Sequence, residues 1–335
     1  MTQGDNLDNS DDELQFCINH CNYTFFSMEK SKDLPFVLDF CPEIQLENPS
    51  RWRISGHSKA GKRTGLFLKP MKIVLDAGLG TLQKPAAIML THSHYDHTLA
   101  LPTLVSRFNS PLKGQESLCG RPVFMPRGMG FKVQKLMEAV IILSDDDPVI
   151  SNQTDVWKRM GYHPFEVTHA QVFEIPGIKD LQVETLKSYH NTDSLGYGFV
   201  TKRKKLKQKY MNVDKEAIIS ARKEGEEITE VIEIPEIAFY CDSTIDNLIL
   251  HDEWKKYPVI LCECTGYPGK HETAQMRERF HTHLSDLIPV MKEHRDKQWV
   301  LLHASCAMED EELAQIEQEL RDTQEINVKI LRSST

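Results

Sequence analysis

Apolar runs of strand length recur along this chain, and short turns rich in Gly, Pro or Lys separate them. Four such runs occupy residues 51–92: RWRISGH, TGLFLKP, KIVLDAG and PAAIMLTH. Runs of this kind are typical of consecutive strands in one sheet. The stretch FKVQKLMEAVIILSDD, over residues 131–146, has helical spacing instead. This part of the chain therefore predicts a series of strands followed by a helix.

A second series of strands follows the first. FEVTHAQVFEIPG and LQVETLKSYH return to the strand pattern, and IPEIAFYCD, YPVILCECT and KQWVLLHAS continue it. Helical segments near residues 271–295 and 308–322 accompany this series, and INVKIL is the last strand. Two series of strands, each followed by helices, predict an α/β sandwich in which two sheets pack face to face beneath outer helices.

The chain contains no repeat and no low-complexity linker, so we expect a single domain over residues 13–335. Residues 1–12 are acidic and Asn-rich, and we predict a disordered tail there. No apolar run is long enough to cross a bilayer, and the acidic N-terminus does not resemble a secretory signal. We therefore expect a cytoplasmic protein without membrane contact, and leave nuclear and organellar locations open.

Composition and charge add two limits. The 335 residues are 40% hydrophobic with a net charge of −9, which argues against a protein coated in nucleic acid. The eight cysteines are too sparse for a disulfide scaffold, so we expect reduced thiols. For Cys17 and Cys21 we favour small buried side chains over a zinc knuckle, because this pair alone does not supply four ligands.

The densest chemistry lies in THSHYDHTLALP, residues 91–102, directly after the apolar run PAAIML. His92, His94, Asp96 and His97 fall within six consecutive positions. In an extended segment His92 and His94 point to one side, and a turn brings Asp96 and His97 to the same place. Imidazoles and carboxylates are zinc ligands, so we interpret the cluster as a metal site rather than as capping residues of a polar loop.

A site for two metal ions needs donors from elsewhere in the chain. Three candidates also close apolar runs: His190 ends LQVETLKSYH, Asp242 ends IAFYCD and His303 ends QWVLLH. Strand ends are where a rigid scaffold presents functional groups. These residues are therefore the best candidates for the remaining ligands.

The motifs resemble those of a known family. HSHYDH matches the HxHxDH signature of the metallo-β-lactamase fold, and the later motifs are similar to the plant-like short form of ribonuclease Z, the tRNA 3′-processing endonucleases. The resemblance runs from about residue 50 to 305. It rests on GHSKAGKRTGLFLKPMKIVLDAGLG, THSHYDHTLALP, SYHNTDSLGYGF, IAFYCDST, LCECTGY, HTHLSDL and LLHAS. It implies the four-layered αββα metallo-β-lactamase sandwich, an α/β fold, and a homodimer.

The resemblance also implies two zinc ions and seven ligands. One ion would be held by His92, His94 and His190, the other by Asp96, His97 and His303, and Asp242 would bridge both. Two zinc ions that share a water lower its pKa and give hydroxide at neutral pH. Mn²⁺ or Co²⁺ in place of zinc stays open, because affinity order alone does not decide the metal.

Three residues are predicted to carry the catalytic steps. Asp96, beside the shared water, could orient it and accept its proton. In the resembled family a His paired with a Glu protonates the departing oxygen, and the matching residues here are His281 and Glu263. Glu263 lies in the apolar run VILCECT, where an unpaired carboxylate would be costly. His283 is the alternative acid, because the spacing in HTH does not rank its two imidazoles.

A basic insertion at about residues 201–235 separates His190 from Asp242. Many ribonuclease Z enzymes carry a Gly/Pro-rich arm there that grips tRNA, whereas this insertion has no Gly-Pro cluster and resembles the plant-like segment. We predict RNA contacts in its basic run, with a solvated helix or loop face as the alternative. The predicted RNA-binding residues are Lys202, Arg203, Lys204 and Lys205.

Three other segments bear on this interpretation. In GHSKAGKRTG, one interpretation is that Lys59, Lys62 or Arg63 contacts RNA. The alternative is that this segment is a solvated turn. After His303 the chain reads ASCAMED where the family usually has Phe-Ser and an Arg-Tyr pair, which puts contacts to the RNA end in doubt. CDST replaces the commoner Gly-Asp-Thr at the bridging aspartate. These departures indicate a divergent member of the family.

These observations predict a zinc-dependent phosphodiesterase, an endoribonuclease that removes the 3′ trailer of precursor tRNA. One alternative is a hydrolase of the same fold that acts on another substrate, such as a general RNase or DNase, a cyclic-nucleotide phosphodiesterase or a β-lactamase-like enzyme. Another is a metal-stabilised binding module without catalysis. The presence of all seven implied ligands and of the His/Glu pair argues against that last alternative.

Overall fold

The computed structural model of this chain describes residues 41, 43–47, 51–108, 110, 112–145 and 149–332. The predicted tail at residues 1–12 and the cysteines Cys17 and Cys21 lie outside the described residues. The domain boundaries drawn from the sequence therefore stay predictions. The described residues include two seven-stranded sheets.

The first sheet holds strands β1 to β7 in chain order. They are β1 (Glu43–Gln45), β2 (Arg53–Lys59), β3 (Arg63–Lys69), β4 (Ile73–Leu75), β5 (Ala87–Met89), β6 (Arg121–Pro126) and β7 (Tyr162–Val167). Neighbouring strands from β1 to β4 are antiparallel, and those from β4 to β7 are parallel. The carboxyl ends of the four parallel strands therefore meet at one edge of the sheet.

The second sheet repeats this arrangement. Its strands are β8 (Val172–Glu174), β9 (Leu181–Lys187), β10 (Leu195–Leu206), β11 (Thr229–Phe239), β12 (Val259–Glu263), β13 (Gln298–Leu302) and β14 (Val328–Ile330). Strands β8 to β11 pair antiparallel and β11 to β14 pair parallel. Because β9 and β11 are both antiparallel to β10, the carboxyl end of β9 lies at the same edge as those of β11, β12 and β13.

Helices connect the strands and cover the outer faces of the sheets. They are α1 (Tyr95–Thr98), α2 (Leu101–Ser106), α3 (Gly130–Ser144), α4 (Gln153–Met160), α5 (Lys215–Lys223), α6 (Asp246–Ile249), α7 (Thr273–Glu278), α8 (Leu284–Glu293) and α9 (Asp310–Asp322). None of the helices described here combines the length and the apolar character that crossing a membrane requires.

Strands β4, β5, β12 and β13 are buried along their whole length, and their successive side chains point to opposite faces of the sheet. Leu66 and Leu302 belong to the core between the two sheets, whereas Phe67 and Leu301, their neighbours in sequence, belong to outer cores. Helices α2, α3 and α4 cover the first sheet, and α6, α8 and α9 cover the second. The result is a four-layered αββα sandwich, which confirms the predicted fold class.

Strand β6 is one element that the sequence pattern does not predict. Its segment RPVFMP contains two prolines, which cannot donate to a ladder and usually argue against a central strand. Strand β5 pairs only with Val123 and Phe124. Pro122 and Pro126 therefore flank the part of β6 that is paired on both sides, and neither proline removes a hydrogen bond to β5.

Candidate metal centre

All seven predicted ligands follow the carboxyl ends of strands. His92 to His97 come after β5, His190 after β9, Asp242 after β11 and His303 after β13. Parallel strands place these ends at one edge of each sheet, and the hydrogen bond from Leu195 N–H to the carbonyl oxygen of Thr91 joins the two sheets there. The structure therefore brings the seven side chains together, although their roles as ligands stay predictions.

Four of these side chains form the first half of the centre, and their possible ligating atoms all lie within 4.8 Å of one another. Nδ1 of His94 is 3.0 Å from Nε2 of His92 and 3.3 Å from Nε2 of His190. Oδ2 of Asp242 is 3.8 Å from the His92 nitrogen and 3.9 Å from the His190 nitrogen. Three imidazole nitrogens and one carboxylate oxygen thus face a common point.

The second half of the centre lies on the other side of Asp242. Oδ2 of Asp96 is 3.6 Å from Nε2 of His97 and 3.8 Å from Nε2 of His303. Oδ1 of Asp242 is 3.3 Å from the same nitrogen of His97 and 3.1 Å from that of His303. The two oxygens of one carboxylate therefore face different halves, which is the position expected of a bridging ligand.

The chemistry of these donors fits a metal ion. Nε2 of His97 and of His303 is buried, and neither atom forms a well-aligned hydrogen bond with a described residue, although carboxylate oxygens of Asp96 and Asp242 lie 3.1 to 3.8 Å away. A buried polar atom without a partner is costly, and a metal ion would supply the missing partner. Burial lowers the pKa of His92, His94 and His190, so these imidazoles favour the neutral form that binds metal.

His97 shows that the centre favours positive charge. Burial acts to lower its pKa, but the carboxylates of Asp242 and Asp76 contribute to raising it well above the ordinary value. In this environment His97 favours its protonated, positively charged form. A bound metal ion would provide the positive charge in place of the extra proton on His97.

Two buried carboxylates, those of Asp76 and Glu263, orient four imidazoles in the same way. Asp76 lies 2.9 Å from Nδ1 of His97, and it accepts a hydrogen bond from the Thr91 hydroxyl, which is 3.0 Å from Nδ1 of His92. Each carboxylate thus holds one imidazole directly and a second through a threonine hydroxyl. Such contacts fix the ring orientation of metal-binding histidines.

Glu263 is the second of these carboxylates and is 1% exposed. Its Oε1 is 2.9 Å from Nδ1 of His281, and its Oε2 accepts a hydrogen bond from the Thr265 hydroxyl, which is 2.9 Å from Nδ1 of His303. The backbone N–H of Ser243 also donates to Glu263, at 2.6 Å. The carboxylate is therefore fully partnered, as its burial requires.

Three of these orienting residues were not identified from the sequence. Asp76 closes the apolar run KIVLD in the same way that Asp242 closes IAFYCD, and this was the available signal. Thr91 and Thr265 carry no such signal, because a threonine at a strand end is commonplace in β structure.

His281 lies against two of the predicted metal ligands. Its ring is 5.4 Å from that of His190 and 5.5 Å from that of His303, between centroids. Burial acts to lower its pKa, but the charge and hydrogen bond of Glu263 outweigh burial and raise the pKa to about 9. His281 therefore favours the protonated form at neutral pH, and with 19% of its side chain exposed it is accessible to solvent.

His283 occupies a different position. It is 2% exposed and caps the amino end of α8, where its Nδ1 accepts a hydrogen bond from the Ser285 N–H at 3.1 Å. Of the two imidazoles in HTH, only His281 is part of the metal-site groups formed by the described residues.

The β2–β3 hairpin borders the second half of the centre. The N–H of Gly61 donates to Oδ2 of Asp96 at 3.1 Å, and the Tyr95 hydroxyl donates to the Gly61 carbonyl oxygen at 2.7 Å. Lys59 is buried, and its ammonium group donates to the carbonyl oxygen of Met308 at 2.6 Å. Of the three hairpin residues considered for RNA contact, Lys59 is therefore committed to the fold, and Lys62 is exposed.

The basic run of the insertion lies on strand β10 rather than on a helix or loop. Residues Lys202 to Leu206 pair with residues 229–233 of β11. The amino end of β10 is at the metal centre, and Arg203 lies eight residues beyond Leu195, about 26 Å at roughly 3.3 Å per residue. The structure therefore does not bring the predicted RNA-binding residues to the centre.

Lys132 is a cation at the centre that the sequence interpretation missed. It lies on the first turn of α3, and its ammonium group is 3.0 Å from the Ser93 hydroxyl and 3.5 Å from the Thr192 hydroxyl. Ser93 stands between two predicted ligands, and Thr192 is two residues after a third. No carboxylate among the described residues forms an ion pair with Lys132, so its charge is available to an anionic substrate.

Comparisons with known proteins agree with this fold and these motifs. No family model matches the chain. It is 26% identical over 274 residues to a chloroplastic tRNase Z of Arabidopsis thaliana, covering 81% of this chain and 71% of that protein. A second tRNase Z of Arabidopsis thaliana is 24% identical over 257 residues, covering 76% and 85%. Among solved structures, the metallo-β-lactamase fold protein YhfI from Bacillus subtilis superposes with a TM-score of 0.50 at 11% sequence identity. The superposition covers 84% of this chain and 97% of the YhfI chain. These findings confirm the predicted fold and the predicted resemblance.

Proposed function

We propose that this chain, a ribonuclease Z-like hydrolase of the metallo-β-lactamase fold, is a zinc-dependent endoribonuclease that removes the 3′ trailer of precursor tRNA. The observation that carries the proposal is the pair of facing ligand groups with the two oxygens of Asp242 between them. The proposed substrate, tRNA, is suggested by the two Arabidopsis thaliana relatives, both of which are named tRNase Z.

The residues that would hold the metal ions divide into two sets. His92, His94 and His190 would bind one ion, and Asp96, His97 and His303 the other, with Asp242 shared by both. Bound ions would stabilise negative charge on the phosphate and lower the pKa of a water molecule that attacks phosphorus.

Asp96 would orient the attacking water and accept its proton. Its carboxylate lies beside both imidazoles of the second half and is fixed by the N–H of Gly61. A carboxylate held in this position does not need to reorganise during the reaction, which favours proton transfer.

His281 would protonate the departing 3′ oxygen of the tRNA. The bond from phosphorus to that oxygen breaks, so the tRNA ends in a 3′ hydroxyl and the trailer keeps the phosphate. Glu263 keeps His281 protonated at neutral pH through the contact of 2.9 Å. This contact favours His281 as the acid over His283, which caps a helix.

Lys132 would bind a phosphate oxygen of the substrate. Its ammonium group lies between the two loops that carry His94 and His190, where the phosphodiester must approach. Compact ammonium groups are common phosphate ligands. The exposed cations of β10 would contact the RNA far from the cut, and the homodimer implied by the family resemblance is part of the same proposal.

The test is cleavage of a 3′-extended precursor tRNA by the zinc-loaded protein. A simple phosphodiester serves as the second substrate, and a chelator serves as the control. We expect a single cut at the base of the trailer that the chelator abolishes and that added zinc restores. Hydrolysis of the simple ester alone would instead support the alternative of a phosphodiesterase that acts on smaller substrates.

A further inference from the structure

Phe280 is an unusual residue at the border of the metal centre. It has a φ of +60°, and the residue is 42% exposed. The left-handed region suits glycine and asparagine, and a bulky residue there is a genuine outlier. Backbone strain of this kind persists only where the surrounding structure enforces it, and it occurs at functional sites.

Three hydrogen bonds hold the backbone of this segment. The carbonyl oxygen of Phe280 faces Nδ1 of His190 at 3.1 Å, and its N–H donates to the carbonyl oxygen of Arg277 at 3.0 Å. The N–H of His281 donates to the carbonyl oxygen of Met276 at 2.9 Å. A glycine would make the same backbone contacts without strain. The aromatic ring is therefore not required by the backbone, and its exposure means that it contributes little to the core.

The sequence neighbours of Phe280 suit a nucleic-acid site. His281, the proposed acid, follows Phe280, and Arg279, which precedes it, is exposed and forms no ion pair within the described part of the chain. An exposed aromatic ring next to a free cation is the combination with which proteins bind single-stranded RNA, by stacking on a base and by contacting the backbone.

We propose that the ring of Phe280 stacks on the nucleobase on the 5′ side of the cut. His281 would donate its proton to the 3′ oxygen of that nucleotide, and the carbonyl oxygen of Phe280 faces His190, so Phe280 borders the place where that nucleotide would lie. This inference rests on the proposed function, because it needs a single-stranded RNA end at the metal centre. Phe280 would then be a residue that determines specificity, although it belongs neither to the sequence motifs nor to the predicted metal ligands.

The test combines changes in the protein with removal of one base from the substrate. Two precursor tRNAs are compared, one intact and one abasic at the nucleotide 5′ to the cut. For the unmodified protein we expect the abasic substrate to lose about 5- to 100-fold in kcat/KM, the range that stacking of one base supplies. Phe280→Leu and Phe280→Asn should lose a similar factor on the intact substrate and should cleave both substrates at the same rate. Phe280→Trp should retain the preference.

Matched variants separate stacking from backbone effects. Asparagine tolerates a positive φ, so Phe280→Asn keeps the turn and the carbonyl that faces His190. Zinc content and thermal melting verify that the centre is intact. If the abasic penalty is the same in the unmodified protein and in Phe280→Asn, or if Phe280→Leu slows both substrates equally, the stacking inference is wrong. If the unmodified protein fails to cut the intact precursor, the proposed function fails first.

Discussion

The candidate metal centre and the basic run of β10 are built in opposite ways, although both stand out in the sequence. At the centre the predicted ligands converge within a few ångströms, and buried carboxylates orient four imidazoles. On β10 the side chains of Arg203, Lys204 and Lys205 are exposed and have no ion pairs among the residues that the structure describes. The comparison shows that a cluster in sequence becomes a site only when the fold fixes its side chains.

The charge of the basic run is also partly neutralised. Lys202 pairs with Glu174 at 2.7 Å, and Lys209, three residues beyond the end of β10, pairs with Glu226 at 2.7 Å. Strand β11 places Glu233 opposite Lys202. The run is therefore a mixed surface rather than a uniformly positive one, and we expect it to contribute less than the centre to activity.

The largest effect should come from Asp96→Ala. This change removes both a predicted ligand and the predicted proton acceptor, so turnover should fall by about 10²- to 10⁴-fold or more. The measurement is cleavage of precursor tRNA at saturating zinc. Circular dichroism should show a folded protein, because Asp96 packs at the edge of the sheets rather than in a core. Retained turnover would remove Asp96 from the mechanism.

The next largest effect should come from His281→Ala. Loss of the acid should slow cleavage by about 10²- to 10⁴-fold while zinc remains bound. A raised pKa means that the protonated form is favoured, so the rate of the unmodified protein should fall as pH rises through about 9. This limb of the pH profile should be absent in the variant.

His283→Ala is the matched control for this change. It removes a helix cap, so the protein should lose about 1 kcal/mol of stability and keep its kcat. A slow His283→Ala protein beside an active His281→Ala protein would reverse the assignment of the acid.

The sequence predicts most of this centre because each predicted ligand closes an apolar run or lies just after one. Each strand places the residue that follows it at the end of the sheet, and parallel strands bring several such ends to the same edge. The position and the type of a residue are therefore enough to predict it as a ligand. Asp76 follows the same rule but stands alone, without a spacing motif. Lys132 contacts Ser93 across 39 residues, and Thr265 contacts His303 across 38. Contacts of this range depend on the packing of helices and loops on the sheets, which periodicity does not encode.

Asp76→Asn should weaken the centre without removing a ligand. Asp76 faces His97 directly and His92 through Thr91, and an amide would not hold both rings as firmly. Loss of such an orienting group typically costs 10- to 100-fold in metal affinity, so we expect a loss of about this size. Zinc affinity measured by competition with a chelator provides the test. Unchanged affinity would show that the ligands alone define the centre.

Lys132→Ala should produce a smaller loss. If Lys132 binds a phosphate of the substrate, its removal should raise KM by about 10-fold and leave zinc content unchanged. Lys135 is a matched control because it lies one turn further along α3 and pairs with Glu138 at 2.6 Å. Lys135→Ala should behave as the unmodified protein. Equal effects of the two changes would indicate a general loss of positive charge rather than a specific contact.

The smallest effect should come from the triple change Arg203→Ala, Lys204→Ala and Lys205→Ala. If these side chains contact RNA phosphates about 26 Å from the centre, each lost contact should reduce the slope of log affinity against log salt by roughly 0.7 to 0.9. Binding of precursor tRNA between low and moderate salt measures this slope, and hydrolysis of a simple phosphodiester should be unchanged. The control is Lys202→Ala, whose charge already pairs with Glu174. An unaltered slope in the triple variant would make β10 a solvated face and leave RNA binding to the rim of the metal centre.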